Sequence, residues 1–250
     1  MANNEPLLVE DRIMNSINNH KLNEIPVNLR YTLQSIYYFI ADNETVLCIK
    51  PDSFIKPDLI IKVDNEIKYV SIKTGRAEVV HNEIIDNFVK YLKEENISQE
   101  TIDTIKLFHY GYGTTDGTGK TRKCYLEVMS ELKDKIKIAN KELNHRKTFV
   151  LKTMKRCVFQ GVDDSNPSID AIYFGDERFG IVTTTKQIVA HVKKRSFDYI
   201  DNLHIGPLLL RPHSRYVGQQ VADERNRERI VAYWPKLAAD LEYISKRYDY

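Results

Sequence analysis

The sequence predicts a mixed α/β fold, because stretches with the apolar period of helices alternate with runs of β-branched strand residues. The segment "KPDLIIKVDNEIKYVSIKTG", residues 56–75, holds two Ile- and Val-rich runs around a short polar turn. Apolar residues at helical spacing lie on both sides of it. The chain has 250 residues, of which 42% are hydrophobic. It is therefore long enough to bury a sizeable core without disulfides.

The first half is predicted to contain two helices, three strands, a further helix and a further strand. The N-terminal helices are expected at residues 7–19 and 27–43, with Pro26 in the first turn of the second. The strands are expected at 44–50, 58–63 and 67–73, followed by a helix at 77–95 and a strand at 104–113. A hairpin followed by a helical crossover places the last strand parallel to the second strand of the hairpin.

The second half is predicted to be mainly helical, with a second hairpin. Helices are expected at 124–140, 147–159 and 185–195, the hairpin at 167–183, irregular or extended chain at 203–220, and a final helix at 222–247 that Pro235 interrupts. We expect a boundary near residue 120. It would separate a mixed α/β part, residues 1–120, from an appended helical and hairpin part, residues 121–250, with both packed as one unit.

Composition narrows the class of protein. Cys48, Cys124 and Cys157 are odd in number and lack C-x-x-C spacing, which argues against a disulfide framework and a thiolate zinc site. The N-terminus lacks the basic and apolar regions of a signal peptide, and no apolar stretch approaches the roughly 18 to 20 residues of a membrane span. We expect a soluble, cytoplasmic protein. The net charge of +2 allows nucleic-acid binding without requiring it.

The hairpin brings three polar residues to one face of a sheet. If Asp64-Asn65 forms a two-residue turn, Asp58 lies opposite Ser71. Side chains alternate along a strand, so Ser71 and Lys73 share a face, and an in-register partner projects to that same face. A turn at Asn65-Glu66 instead pairs Asp58 with Lys73 and keeps the convergence, whereas a three-residue loop removes it.

A carboxylate beside an ammonium suits metal-assisted hydrolysis of a phosphodiester bond. Asp58 offers a hard oxygen ligand to Mg²⁺, which lowers the pKa of an attacking water. Lys73 would orient that water or stabilise charge on the phosphorus. Because one carboxylate is a sparse ligand set, another acid is expected nearby.

Pro57-Asp58, a strand, a turn and Ser71-Ile72-Lys73, within the predicted order of elements, resemble the PD-(D/E)xK nuclease superfamily. This superfamily includes type II restriction endonucleases and many repair nucleases, and the resemblance covers residues 25–113. It implies a restriction-endonuclease-like αβββαβ core, a Mg²⁺ cofactor and a double-stranded DNA substrate. Residues 1–120 would then be the nuclease core and residues 121–250 a region for DNA recognition or dimerisation.

Ser71 stands at the position of the second acid of the motif. Some restriction endonucleases have a Ser-x-Lys version, in which a glutamate on the following helix supplies the missing carboxylate. The resemblance favours Glu83 as that acid, with Glu78 as the alternative and His81 as a further candidate beside the metal. It thus implies Asp58 and Glu83 as metal ligands, Lys73 acting on water, and Ser71 as a neutral neighbour.

A helical wheel does not decide between the two glutamates, because Glu78 and Glu83 lie on opposite flanks of the apolar stripe. Both are also explained as solvated first-turn acids that complement a helix dipole. His81 is equally explained as a half-buried helix histidine bonded to a backbone carbonyl.

Basic residues in and after the glycine-rich loop are candidate DNA contacts. The loop at residues 111–122 ends in Gly-Lys-Thr, but Thr114 stands where a P-loop needs glycine, so no nucleotide cofactor is expected. Phosphate contacts supply affinity, and arginine side chains at guanine edges supply sequence preference. The candidates are Lys120, Arg122, Lys193, Lys194, Arg195, Arg211, His213 and Arg215.

The resemblance implies a Mg²⁺-dependent DNA endonuclease, specifically a type II restriction enzyme. A palindromic target favours a homodimer, because the symmetry of the protein then matches that of the site. One alternative is a non-catalytic DNA-binding or assembly protein on a nuclease-like fold, since a fold does not establish activity. Another is an RNA or structure-specific repair nuclease.

Overall fold

The computed structural model describes residues 5–53, 55–75, 78–118, 123–213 and 227–248. Over these ranges the protein is a mixed α/β fold, as the sequence predicts. It forms two compact units. The first unit comprises Met1–Ala77, Lys155–Lys194 and Lys236–Tyr250, and the second comprises Glu78–Met154 and Arg195–Pro235. Each unit takes segments from both sides of residue 120, so the units do not follow the boundary predicted there.

The elements, in chain order, are α1 (Glu5–Ile17), β1 (His20–Lys21), a 3₁₀ turn (Leu22–Glu24), α2 (Val27–Ile36), β2 (Thr45–Ile49), β3 (Leu59–Val63), β4 (Glu66–Lys73), β5 (Val79–Ile84), α3 (Ile85–Glu94), α4 (Gln99–Tyr110), α5 (Tyr125–Glu131), α6 (Lys133–His145), α7 (Lys147–Met154), a π-helical turn (Lys155–Phe159), β6 (Ala171–Gly175), β7 (Gly180–Thr184), α8 (Thr185–Lys194), β8 (His204–Ile205), β9 (Leu208–Pro212), β10 (Arg229–Tyr233) and α9 (Leu237–Arg247). No helix among the described residues is both long and apolar enough to cross a bilayer.

The first unit is built on a six-stranded mixed sheet in the order β1-β2-β3-β4-β6-β7. Strands β1 to β4 are antiparallel, β6 runs parallel to β4, and β7 returns antiparallel to β6. The helix–strand–strand–strand order of α2, β2, β3 and β4 is therefore confirmed. The strand parallel to β4 is β6 of the second hairpin, and not residues 104–113 as predicted.

Helices cover the sheet of the first unit because each presents an apolar stripe. Ile13 and Ile17 of α1 and Leu29 and Leu33 of α2 are at most 1% exposed. Burying such a side chain stabilises the fold by roughly 1.5–3 kcal/mol. Helix α2 ends at Ile36, earlier than predicted, since Tyr37 is extended. The remaining core comprises Val9, Leu22, Ile25, Ile36, Tyr37, Ile40, Val46, Cys48, Leu59, Ile61, Val63, Val70, Ile72, Ala171, Tyr173 and Val182.

The second unit contains an antiparallel four-stranded sheet in the order β5-β10-β9-β8. This sheet corrects the prediction of one helix over residues 77–95. Residues 79–84 form β5, and the helix begins only at Ile85. The β-branched Val79, Val80 and Ile84 suit a strand, and β10 supplies the pairing partner, with Glu83 opposite Ile230.

The strand predicted at 104–113 is wrong, because these residues belong largely to helix α4. Ser98 caps the helix by accepting a hydrogen bond from the Thr101 amide at 3.3 Å. Gly111, with φ 68°, ends it in the left-handed conformation. Ile105 and Phe108, three residues apart, lie in the core. The β-rich composition of the segment is overridden by this capped helix.

The final helix is also shorter than predicted. Residues 229–233 form β10 between β5 and β9, and α9 begins at Leu237, two residues after Pro235. Apolar residues 230–232 are buried on both faces of the sheet, which a central strand permits. The part of the prediction at 222–226 lies outside the described residues.

Candidate functional site

The predicted register of the hairpin is confirmed. Val63 pairs with Glu66 and Leu59 pairs with Val70, so a two-residue turn joins the strands. Asp64 has φ 51°, a left-handed conformation that Asp tolerates better than most residues. The Asp58 amide donates to the Val70 carbonyl at 2.9 Å, which extends the pairing to the residue before β3.

Asp58, Ser71 and Lys73 converge at the end of this hairpin. The Ser71 hydroxyl donates to Asp58 Oδ2 at 2.8 Å, and the Ile72 amide donates to the same oxygen at 2.6 Å. The Lys73 ammonium lies 3.6 Å from that oxygen. The side chains of Asp58 and Lys73 are 24% and 23% exposed, so the pair is accessible yet partly shielded from water. The two charges are thus held at the ends of two interior strands of the sheet, β3 and β4.

Neighbouring groups fix the chain on both sides of Asp58. The Lys56 ammonium donates to the Cys157 carbonyl in the π-helical turn at 2.6 Å. On the other side, β4 pairs in parallel with β6, and Lys73 stands opposite Phe174. Segments from residues 155–175 therefore brace the hairpin that carries the candidate site.

The Lys73 ammonium lies close to two oxygen atoms. Its ammonium donates to the Ile72 carbonyl at 3.1 Å and faces Asp58 Oδ2. Among the described residues, the hydrogen bonds to the Asp58 carboxylate end on Oδ2, which leaves Oδ1 for another ligand. Mg²⁺ is commonly held by one or two carboxylates with water and phosphate oxygens, so this set of donors fits Mg²⁺.

Glu10 on α1 is a second carboxylate in the first unit that the sequence analysis missed. Burial raises the pKa of Glu10; a hydrogen bond from Lys50 opposes the rise, and the Asp58 carboxylate adds to it. Lys73 also lowers this pKa. Glu10 therefore lies within electrostatic range of both Asp58 and Lys73. No motif spacing signals it, because α1 is separated from the hairpin by more than forty positions of the printed sequence.

Lys50 holds Glu10 in place. Its ammonium lies 3.1 Å from Glu10 Oε2 and 2.7 Å from Asp11 Oδ1. Burial lowers the pKa of Lys50, but the hydrogen bonds that its ammonium donates to Asp11 and Glu10 outweigh this effect, so the pKa is raised overall. The Glu10 side chain is 17% exposed and that of Asp11 is 49% exposed. Of the two acids, Glu10 is the one held in a partly buried position.

His81 and Glu83 form a buried pair on β5 of the second unit. His81 Nε2 and Glu83 Oε1 are 2.9 Å apart, with side chains 9% and 5% exposed. Residues two apart on a strand share a face, which explains the contact. Glu83 was predicted on the first turn of a helix; it lies instead on a central part of the β5–β10 pairing. Its carboxylate is engaged with His81.

Glu78, the alternative acid, precedes β5 and is exposed. Its carbonyl accepts a hydrogen bond from the Trp234 amide at 2.7 Å, which starts the pairing of β5 with β10. Within the described ranges, no group of three or more His, Cys, Asp or Glu side chains is arranged to hold a metal ion. The metal role predicted for Asp58 and Glu83 therefore stays a prediction.

The candidate DNA contacts are scattered. Lys120, Arg122 and Arg215 lie outside the described residues. Lys193 and Lys194 are exposed in the last turn of α8.

The other three candidates lie in the second unit. The Arg195 guanidinium lies 5.5 Å from the centroid of the Phe197 ring. Arg211 lies 5.6 Å from each of the rings of Tyr125 and Tyr233, so part of its surface is covered by protein. The backbone amide of His213 donates to the Arg229 carbonyl at 2.8 Å.

The chain resembles a solved structure in fold but matches no known protein sequence family. No family model matches the chain, and no curated protein matches it. Among solved structures, the chain is similar to restriction endonuclease MspI in complex with its cognate DNA. The identity is 10%, the match covers 91% of this chain and 88% of that one, and the TM-score is 0.47.

Proposed function

We propose that the protein is a Mg²⁺-dependent DNA endonuclease of the type II restriction kind. The observation that carries this proposal is the meeting of Asp58, Ser71 and Lys73 at the end of the β3–β4 hairpin. A carboxylate with an open oxygen, beside an ammonium at a partly shielded site, suits metal-assisted hydrolysis of a phosphodiester bond. A palindromic target would favour a homodimer, with one such site for each strand.

In this proposal each residue has a distinct role. Asp58 and the Ile72 carbonyl would hold Mg²⁺, which supplies a bound water of lowered pKa and neutralises phosphate charge. Lys73 would position the water by donating a hydrogen bond to its oxygen and would offset the negative charge that develops on phosphorus. Ser71 would fix the Asp58 carboxylate through its 2.8 Å hydrogen bond, leaving Oδ1 toward the metal.

The second acid has three candidates. Glu83 follows from the family resemblance, with Glu78 as its alternative. Glu10 is favoured by its electrostatic coupling to Asp58 and Lys73 within the same compact unit. Glu10→Gln, Glu83→Gln and Glu78→Gln, assayed side by side, distinguish them, since the acid that completes the site is the one whose loss abolishes cleavage.

The test is cleavage of plasmid DNA with Mg²⁺ or with EDTA. We expect discrete fragments only with Mg²⁺, and a loss of at least about 100-fold in rate for Asp58→Ala and Lys73→Ala. Lys62→Ala, which removes an exposed lysine from β3 of the same hairpin, is the matched control and should cut normally. DNA binding by every variant, measured by fluorescence anisotropy, separates lost chemistry from lost affinity. Cleavage that persists in Asp58→Ala would refute the proposal.

A specific observation favours a second candidate, a non-catalytic DNA-binding or assembly protein. Ser71 occupies the position of the second acid, and its hydroxyl is already bonded to Asp58. In this case the protein binds DNA without cutting it under any metal condition, and Asp58→Ala leaves binding unchanged.

A further inference from the structure

Helix α8 in the first unit has an unusually basic surface. Its sequence, "TKQIVAHVKK", contains Lys186, Lys193 and Lys194 with His191 and no acidic residue. Ile188 and Val192 form its buried stripe, and the three lysines are exposed. One face of α8 therefore carries cationic side chains that no acid on the helix neutralises.

The spacing of the lysines forms a row along the helix. Lys186 and Lys193 are seven residues apart, so they share a face and are separated by about 10.5 Å along the helix axis. Ala190 lies between them along the helix and carries no charge. A linear polyanion can therefore contact both lysines at once.

The end of α9 packs against α8. Gln187 Nε2 donates to the Tyr248 carbonyl at 3.1 Å, and the Lys194 ammonium lies 5.0 Å from the centroid of the Tyr248 ring. His191 meets the rings of Tyr243 and Tyr248 edge-on, at 5.7 and 6.2 Å between centroids. The lysine row thus lies on a packed pair of helices.

The last turn of α9 adds further basic side chains. Lys246 and Arg247 are both exposed there. Glu242, one turn earlier, lies 2.6 Å from the Lys246 ammonium and offsets its charge. The Arg247 side chain contacts the hydroxyl of Tyr243. Arg247 is therefore held on the same α8–α9 pair.

The helix dipole accounts for only part of this arrangement. Lys193 and Lys194 complement the negative C-terminal end of α8. Lys186 lies in the first turn, which contains no acid and where a cation opposes the dipole. Helix stability therefore does not explain Lys186, whereas an anionic partner along the row does.

We propose that the face of α8 formed by Lys186, Lys193 and Lys194, extended by Arg247 of α9, is a docking surface for the phosphate backbone of duplex DNA. This inference rests on the proposed function, which supplies DNA as the partner. The surface contacts phosphates, so it contributes affinity and orientation and not sequence preference. Only Lys193 and Lys194 of this surface were expected from the sequence. Lys186 joins them through its spacing on α8, and Arg247 through the packing of α9 on α8.

The experiment is a salt titration of binding to a fluorescent duplex in EDTA, with the full-length protein. The slope of log K against log salt is negative, and each lost phosphate contact reduces its magnitude by about 0.9. We expect Lys186→Gln with Lys193→Gln to reduce that magnitude by about 2 and to weaken binding roughly 10- to 100-fold at about 0.1 M salt. The control pair is Lys90→Gln with Lys93→Gln on α3, which removes the same charge beside Glu94 and Glu95.

Each outcome decides a different question. An unchanged slope in the α8 double variant, with normal binding by the wild type, would contradict the proposal that this face docks DNA. It would leave the proposed function intact. No salt-dependent binding by the wild type counts against the proposed function itself. Unchanged DNA binding with lost sedimentation on phosphatidylserine vesicles assigns the face to an anionic membrane and also overturns the inference.

Discussion

At the scale of single residues, the candidate site depends on which carboxylates lie near Asp58. Asp58 is fixed by bonds to Ser71 and the Ile72 amide. Glu10 reaches the same region from α1, held by Lys50. Burial raises the pKa of this carboxylate and the hydrogen bond from Lys50 opposes the rise.

We expect Glu10→Gln to lower the Mg²⁺-dependent cleavage rate by at least about 100-fold while leaving DNA affinity unchanged. The physical reason is the loss of one of the two carboxylates of the proposed metal site, with the shape of the side chain retained. Single-turnover cleavage and anisotropy measure the two effects.

Asp11→Asn is the matched control for Glu10→Gln, because Asp11 also pairs with Lys50 but is 49% exposed. It should cut at the wild-type rate. If the two variants lose activity equally, Glu10 acts only through the position of Lys50, and its role as a second acid is wrong.

His204 gives a prediction about pH. Its ring stacks on Tyr199 at 3.8 Å between centroids, and burial, with a smaller contribution from Arg211, lowers its pKa from 6.5 to about 4. The His204 ring therefore binds a proton below about pH 6.5 in the unfolded chain, but only below about pH 4 in the folded protein. Stability is lost as the pH falls through this window.

We expect His204 to remove about 2 kcal/mol from the free energy of unfolding between about pH 7 and about pH 5. His204→Phe keeps an aromatic ring beside Tyr199 without the titrating group. In urea unfolding at the two pH values, the variant should lose about 2 kcal/mol less than the wild type. Equal losses would show that His204 does not titrate as a buried neutral histidine.

At the scale of elements, the β6–β7 hairpin decides whether β4 has its parallel neighbour. Gly175 has φ 151°, and a Cβ there would lie 2.1 Å from the Phe179 carbonyl oxygen. The Asp176 amide donates to this same oxygen at 2.8 Å. The turn therefore closes only around a glycine.

We expect Gly175→Ala to lower the free energy of unfolding by about 3 kcal/mol or more, since the clash is with backbone that cannot move aside. Gly75→Ala is the control, with φ 59° and no atom within 4 Å of the added Cβ. It should cost only about 1–2 kcal/mol of left-handed strain. Urea unfolding curves measure both, and similar costs would mean that the turn relaxes around the methyl group.

At the scale of the whole molecule, each of the two compact units is formed by segments that are not consecutive in the sequence. The first unit is completed by β6, β7, α8 and α9, which lie far along the sequence from the hairpin they support. The Tyr69 amide, for example, donates to Asp170, 101 residues away. A boundary drawn from changes in local composition does not detect such exchanges.

Features that depend on short-range interactions were predicted from the sequence, and features that depend on long-range contacts were not. The β3–β4 hairpin and its three converging residues were predictable, because a two-residue turn fixes the register and strand alternation does the rest. The secondary structure of residues 79–84 was not predictable, because the stripe formed by Val80, Ile84 and Phe88 fits a helix as well as a strand followed by a helix. Pairing with β10 decided it.

The sequence by itself determined the mixed α/β class, the hairpin register and the meeting of Asp58, Ser71 and Lys73, all of which depend on residues within one short segment. Only the tertiary structure decided that β6 lies beside β4, that Glu10 is coupled to Asp58, and that His81 and Glu83 pair on a strand. The reason is physical. These features depend on contacts between distant segments, and the free energy of such contacts leaves no local period in the sequence.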